Sequence, residues 1–280
     1  MWRHTLAVLL AFALPLLAYP FARAQGGGER WERITGLGAA GAVRRGRGAG
    51  RRAAPRGDVY LSVEHWGVLL SQDGGQTWQA VNRRLPRGRL GRVAIGPLAL
   101  APDSSQFLMV GVSGQAVGGR PAVYKTRDGG RFWVPRRGLG TLDVEGLAIA
   151  RGNIVYAASG SSLYRSADAG DTWHESGRRP TASAVLSMAV DPADTAIFIG
   201  TQTDGLWLTP ARAATWRAAL RGRSVYALAI SGTGRVYAGA DDGLYTCAGP
   251  DDAWQRLPLE PAGPVTMLAV APGTPERVFV

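Results

Sequence analysis

Chemistry needs groups that can move a proton, hold a metal or attack an electrophile. Outside repeated motifs, the acids that could do so are Glu64, Asp143, Glu145, Asp204, Asp241 and Asp242. Two carboxyls facing each other across a cleft could hydrolyse a glycosidic bond, one as acid and the other as base or nucleophile. Solvated loop acids are the simpler role for all six. His65 and His174 stand alone, without a partner at ligand spacing, so no metal site is expected. The chain has no phosphate-cradling glycine loop and no nucleophile elbow, and no cofactor is expected. Cys247 is the only cysteine, which excludes an intramolecular disulfide.

Another set of acids recurs in one setting. "SQDGGQTW" covers Ser71–Trp78, "TRDGGRFW" covers Thr126–Trp133 and "SADAGDTW" covers Ser166–Trp173. Weaker echoes are "TPARAATW" at Thr209–Trp216 and "CAGPDDAW" at Cys247–Trp254. The five tryptophans are 55, 40, 43 and 38 residues apart, and Trp31 precedes Trp78 by 47. A repeat of about 40–45 residues holding several short strands is a propeller-blade length.

The elements that must position these boxes follow a common order. An apolar first strand, such as "VEGLAIA" or "VLSMAVDP", precedes a second that ends in small residues, such as "IVYAAS" or "VYAGA". A third, such as "SLYRS" or "GLWLT", leads into the box, and the fourth begins at the tryptophan. Continuous apolar runs predict that the first strand is buried on both faces beside a central channel, with alternation in the outer strands. The box then falls on the hairpin between third and fourth strands. Its glycines supply positive φ, its Asp accepts backbone N–H groups and nearby hydroxyls, and its Trp packs on the adjacent blade.

Ser71, Asp73, Gly75, Thr77 and Trp78 resemble the Asp-box (BNR) repeat, S-x-D-x-G-x-T-W, as do Ser166, Asp168, Gly170, Thr172 and Trp173. The middle copy keeps Asp128, Gly130 and Trp133 but has Phe132 in place of Thr. The resemblance runs from about Trp31 to the C-terminus. It implies an all-β β-propeller whose box acids are structural. Six four-stranded blades are expected, closed by Trp31–Ile34 pairing in the blade of Val265–Val280, or seven if the chain is a fragment. Asp-box propellers include sialidases, xyloglucan-cleaving glycosidases, sortilin-type receptors and photosystem II assembly factors, so the fold does not choose a function. A sialidase would need an arginine triad, a Tyr–Glu nucleophile pair and an Arg-Ile-Pro element ahead of the first box. That region reads "AAGAVRRGRGAGRRAAPRG" and lacks the element. Tyr226 and Glu145 are the nearest pieces of a Tyr–Glu pair, and channel-lining or loop positions account for them more simply.

Residues 1–24 read as a secretory signal peptide, with Arg3 and His4 ahead of the apolar run Leu6–Leu17 and a small-residue cleavage site at Ala22–Ala24. Residues 25–280 then form one exported domain, periplasmic or extracellular, with membrane contact only through an uncleaved leader. The net charge of +11 comes almost wholly from arginine, since Lys125 is the only lysine. Four successive connectors from fourth to first strands carry arginine pairs: Arg83 and Arg84, Arg136 and Arg137, Arg178 and Arg179, Arg221 and Arg223. Arginine makes two-pronged contacts to carboxylates and phosphates. The expected function is therefore non-catalytic docking of a protein or anionic polymer on this face, by a monomer, without specific nucleic-acid binding. A sialidase-like hydrolase is the alternative.

Overall fold

Short apolar runs separated by glycine-rich turns fold into short antiparallel strands. The computed structural model describes residues 58–63, 66–72, 77–87, 95–104, 106–112, 123–136, 138–139, 143–211, 215–260, 262–271 and 277–280. The leader, the Trp31–Ile34 strand, Asp73, Gly75, Arg137, Glu64 and His65 lie outside the described residues.

Six antiparallel sheets follow one another along the described chain. The first contains β1 (Val59–Val63), β2 (Gly67–Ser71) and β3 (Gln79–Ala80). Four complete four-stranded blades come next. They are β4 (Leu98–Leu100), β5 (Leu108–Gly111), β6 (Val123–Thr126) and β7 (Val134–Arg136); then β8 (Val144–Ile149), β9 (Val155–Ser159), β10 (Ser162–Ser166) and β11 (His174–Arg178). The next two are β12 (Val185–Val190), β13 (Ala196–Thr201), β14 (Leu206–Pro210) and β15 (Arg217–Ala219); then β16 (Val225–Ile230), β17 (Val236–Ala240), β18 (Gly243–Cys247) and β19 (Gln255–Leu257). The last pair is β20 (Ala269–Ala271) with β21 (Arg277–Phe279). Strand order within each sheet follows chain order, as in a propeller blade.

The core lies between blades. Tyr60 and Val68 of the first sheet are buried with Leu108, Val110 and Trp133 of the second. Equivalent clusters join each later pair of sheets. Small residues on second strands let the next sheet approach: a Cβ on Gly239 would lie 2.5 Å from the carbonyl oxygen of Val265, which precedes β20.

One expectation is corrected. The first strands are not the most buried. β12 and β16 are only partly covered, whereas β9, β13 and β17 are buried throughout. The innermost strands line a central channel of about 450 Å³, so one face meets open space. The second strands sit between neighbouring blades and are covered on both faces. Fourth strands such as β11 are largely exposed.

Candidate docking face

The third box shows what its residue types do. Asp168 Oδ1 accepts the Ser166 hydroxyl at 2.7 Å, the Asp171 N–H at 3.0 Å and the Thr172 N–H at 2.8 Å. Its Oδ2 accepts the Thr172 hydroxyl at 2.6 Å. Ser166 Oγ in turn accepts the Gly170 N–H at 2.7 Å, closing the turn from within. The Thr172 hydroxyl and these other donors hold the Asp168 carboxyl far below the usual carboxylate range. The second box repeats the pattern through Thr126, Asp128 and Gly130, with Phe132 N–H donating to Asp128 Oδ1 at 3.0 Å. Phe132 has no hydroxyl, so the bond that Thr172 makes to its aspartate has no counterpart.

The box tryptophans Trp133, Trp173, Trp216 and Trp254 pack towards the preceding blade. Trp133 is fully buried, and its indole N–H donates to the Val81 carbonyl at 2.6 Å. Burying such a ring removes roughly 150–250 Å² from water, about 4 kcal/mol or more, which outweighs the net ~1 kcal/mol of its hydrogen bond. Trp216 donates to the Arg178 carbonyl at 2.9 Å. Trp173 joins the cluster between the second and third blades, and Trp254 the one between the fourth and fifth. Ser71 is buried at the first box, where Trp78 is half-buried against Leu61 and Leu69, and Thr77 is exposed. A methyl on Gly170 would sit 2.5 Å from Met109 Cε of the preceding blade, so this glycine admits the contact.

The arginine connectors divide into two groups. Three of the named arginines are neutralised within the fold. Arg136 lies 2.7 Å from Asp171, a carboxylate in the next blade's box that also takes Lys125 Nζ at 2.8 Å. The Arg179 side chain is only 6% exposed and donates to Glu145 at 3.1 Å. Arg223 donates to Asp242 at 2.9 Å and to the Tyr245 hydroxyl at 3.0 Å. The others, Arg83, Arg84, Arg178 and Arg221, are exposed and pair with no carboxylate among the described residues. Arg83 stacks on the Phe132 ring, its guanidinium carbon 4.4 Å from the centroid. Arg136 thus clasps two neighbouring blades, whereas Arg179 and Arg223 pair with acids of the sheet beside their own connector, roles their spacing did not disclose.

Of the acids considered for glycosidic chemistry, the carboxylates of Glu145, Asp204, Asp241 and Asp242 are tied locally. Glu145 also accepts the Val185 N–H at 3.2 Å. Asp204 accepts the hydroxyls of Thr181 and Thr203. Asp241 accepts the Ser224 N–H at 3.3 Å, and Asp242 the Tyr245 hydroxyl at 2.8 Å. The Asp143 carbonyl accepts the Ser159 hydroxyl. Tyr226 lines the channel, otherwise lined mainly by Leu, Ala, Met and Ile. His174 is exposed on β11, and among the described residues no His, Cys, Asp and Glu group could hold a metal. Two features escaped the sequence reading. The isolated Lys125 was the signal for the first, a buried cation at a blade junction. Phe132, where the box calls for Thr, was the signal for the second, an exposed ring beneath the Arg83 guanidinium.

Comparison with known proteins bears on the architecture. A BNR/Asp-box repeat model matches residues 69–80. No curated protein matches the sequence. Among solved structures, a GH74 enzyme from Niastella koreensis aligns at a TM-score of 0.57 and 16% identity, over 80% of this chain and 38% of that one. The extracellular domain assigned to a hybrid two-component system of B. thetaiotaomicron, BT4673, aligns at 0.50 and 16%, over 75% and 28%. YCF48 bound to a D1 peptide aligns at 0.45 and 17%, over 71% and 63%. The chain thus spans less than two thirds of the length of each neighbour, and identities this low speak to fold alone. Among the described residues no helix is long and apolar enough to cross a membrane. With boxes on successive hairpins and blade-by-blade packing, the chain has a β-propeller arrangement and carries the BNR/Asp-box repeat.

Proposed function

We propose that this protein is an exported, non-enzymatic propeller that docks a protein or other polyanionic partner through its exposed connector arginines. The observation that carries the reading is the division among those arginines. Arg136, Arg179 and Arg223 are spent on internal carboxylates, while Arg83, Arg84, Arg178 and Arg221 reach solvent and pair with none among the described residues. On a chain of net charge +11, uncompensated guanidiniums at recurring positions make a surface that attracts anions. Four of the acids a glycosidase could use, Glu145, Asp204, Asp241 and Asp242, are instead held in local bonds. The signal-like first 24 residues support export, and six blades closed by Trp31–Ile34 complete the reading, with the chain a monomer.

The test measures association with immobilised polyglutamate and heparin at two salt concentrations. Wild type should be retained, and binding should weaken steeply with salt, because exposed charges are screened over about 8–10 Å. Reversing Arg178 and Arg221 to Glu should slow association more than it speeds dissociation. Retention by neither polyanion, or binding indifferent to salt and to the reversals, would overturn the docking face. Turnover of a sialoside by wild type would establish the competing sialidase-like reading.

A further inference from the structure

The three large hydrophobic side chains that remain exposed among the described residues are Trp66, at 55%, and Phe132 and Val134, at 39% each. All three belong to segments joined by one turn. Asn82–Leu85 is a β-turn closed by the Leu85 N–H on the Asn82 carbonyl at 3.0 Å. The Asn82 side chain donates to the Trp66 carbonyl at 2.6 Å and accepts the Val68 N–H at 2.7 Å, which fixes the Trp66 loop to the turn. On the other side, the Trp133 N–H donates to the Arg83 carbonyl at 3.2 Å, fixing the turn to the start of β7. Arg83 lies over Phe132, and the Arg84 guanidinium carbon is 6.0 Å from the same ring centroid.

Two local departures from ordinary sequence rules meet here. Arg84 has φ of 71° at the third position of the turn, where glycine or asparagine is usual. Phe132 occupies the box position where Thr172 makes a hydrogen bond in the next blade. Backbone strain at a residue whose guanidinium pairs with no carboxylate among the described residues motivates a functional role for that position. A ring under a guanidinium leaves the guanidinium edge N–H groups directed outwards for oxygen acceptors. Arginine, tryptophan and other aromatics are also the residue types that carry most interface energy.

From this placement we infer that the Asn82–Leu85 turn, with Phe132, Val134 and Trp66, is a preformed docking patch for an acidic peptide segment of a partner protein. This rests on the docking reading above and names its partner. Two guanidiniums call for carboxylates, and the exposed rings and Val134 call for apolar side chains between them. A uniformly charged polymer supplies only the first. Pro135, in the middle of exposed β7, has no N–H to donate, so the segment binds through side chains rather than as an added strand.

The experiment uses the full chain and a short fluorescein-labelled peptide rich in glutamate and leucine, read by fluorescence anisotropy, with thermal unfolding in parallel. Arg84→Gly suits the turn's backbone and Phe132→Thr restores the box hydroxyl. Each should therefore unfold no earlier than wild type yet bind the peptide about tenfold more weakly. Arg178→Gln with Arg221→Gln serves as a distant control. If only that control weakens binding, the patch is wrong and the wider docking face stands. If heparin is retained but the peptide is not, the peptide assignment is wrong. Failure to bind the peptide, polyglutamate or heparin would overturn both readings. Early unfolding of both Arg84→Gly and Phe132→Thr would show that the turn and ring serve stability, which also overturns the patch.

Discussion

Replacing Asp168 by alanine isolates what a box acid does. The change removes the acceptor of four bonds, from the Ser166 hydroxyl, the Asp171 and Thr172 N–H groups and the Thr172 hydroxyl. Hydrogen bonds to a charged group contribute roughly 1.5–3 kcal/mol each, which would suggest a very large loss. The carboxylate is exposed, however, so water can take over the two N–H groups, and Ser166 Oγ still accepts from Gly170. The expected loss is about 1–3 kcal/mol, a fall of about 3–10 °C in Tm for a domain of this size. Near-ultraviolet circular dichroism of the tryptophans during heating would measure it. Asp168→Asn, which keeps one oxygen acceptor, should lose less. The folded-state pKa is depressed, so the carboxylate's contribution is fully present above its unfolded value of about 3.9 and is lost as pH falls through the folded value. The gap between wild type and Asp168→Ala should accordingly narrow in strong acid. An unchanged Tm accompanied by loss of partner binding would refute the structural role of the box.

The Lys125 nitrogen, in a side chain 4% exposed, donates to Asp171 at 2.8 Å and to the Ala169 carbonyl at 3.1 Å. Asp171→Ala should cost about 2–3 kcal/mol by urea denaturation, because it strands that charge, whereas Lys125→Met should cost about 1 kcal/mol or less; equal losses would contradict this account. Burial pushes the Cys247 thiol up to about 11, so a thiol reagent at neutral pH should label it only on unfolding. Rapid labelling of the native chain would show that the β18 junction opens.

The box hairpins and the blade rhythm were legible because they depend on local features: a turn acid, glycines where φ is positive, and a tryptophan at a constant place. Burial was harder to read. An apolar run such as Val225–Ile230 looks the same whether its second face meets a neighbour or a channel, and only the assembled ring tells them apart. The arginines posed the same difficulty. Arg178 and Arg179 are adjacent in sequence, yet one is exposed and the other reaches Glu145. The pairing depends on a residue 34 positions away, and no local pattern announces it. Arg84 also looked like any connector arginine, because a positive φ leaves no trace when the residue is not glycine.

The clasps between blades keep a fixed polarity along the chain: Trp133 and Trp216 donate back to the preceding blade, whereas other side chains reach forward. Tyr60 donates to the Gly129 carbonyl, Tyr156 to the Ala211 carbonyl, and Lys125 and Arg136 reach forward to Asp171. Each blade therefore offers one surface behind and a different one ahead, as in a head-to-tail assembly. Such contacts contain no instruction to stop. How many blades complete a turn is set by the wedge angle that each junction imposes. A duplicated blade could thus enter the series using junctions already present, adding to the circumference while leaving every existing clasp intact. Change in such a molecule can come by whole blades as readily as by single residues.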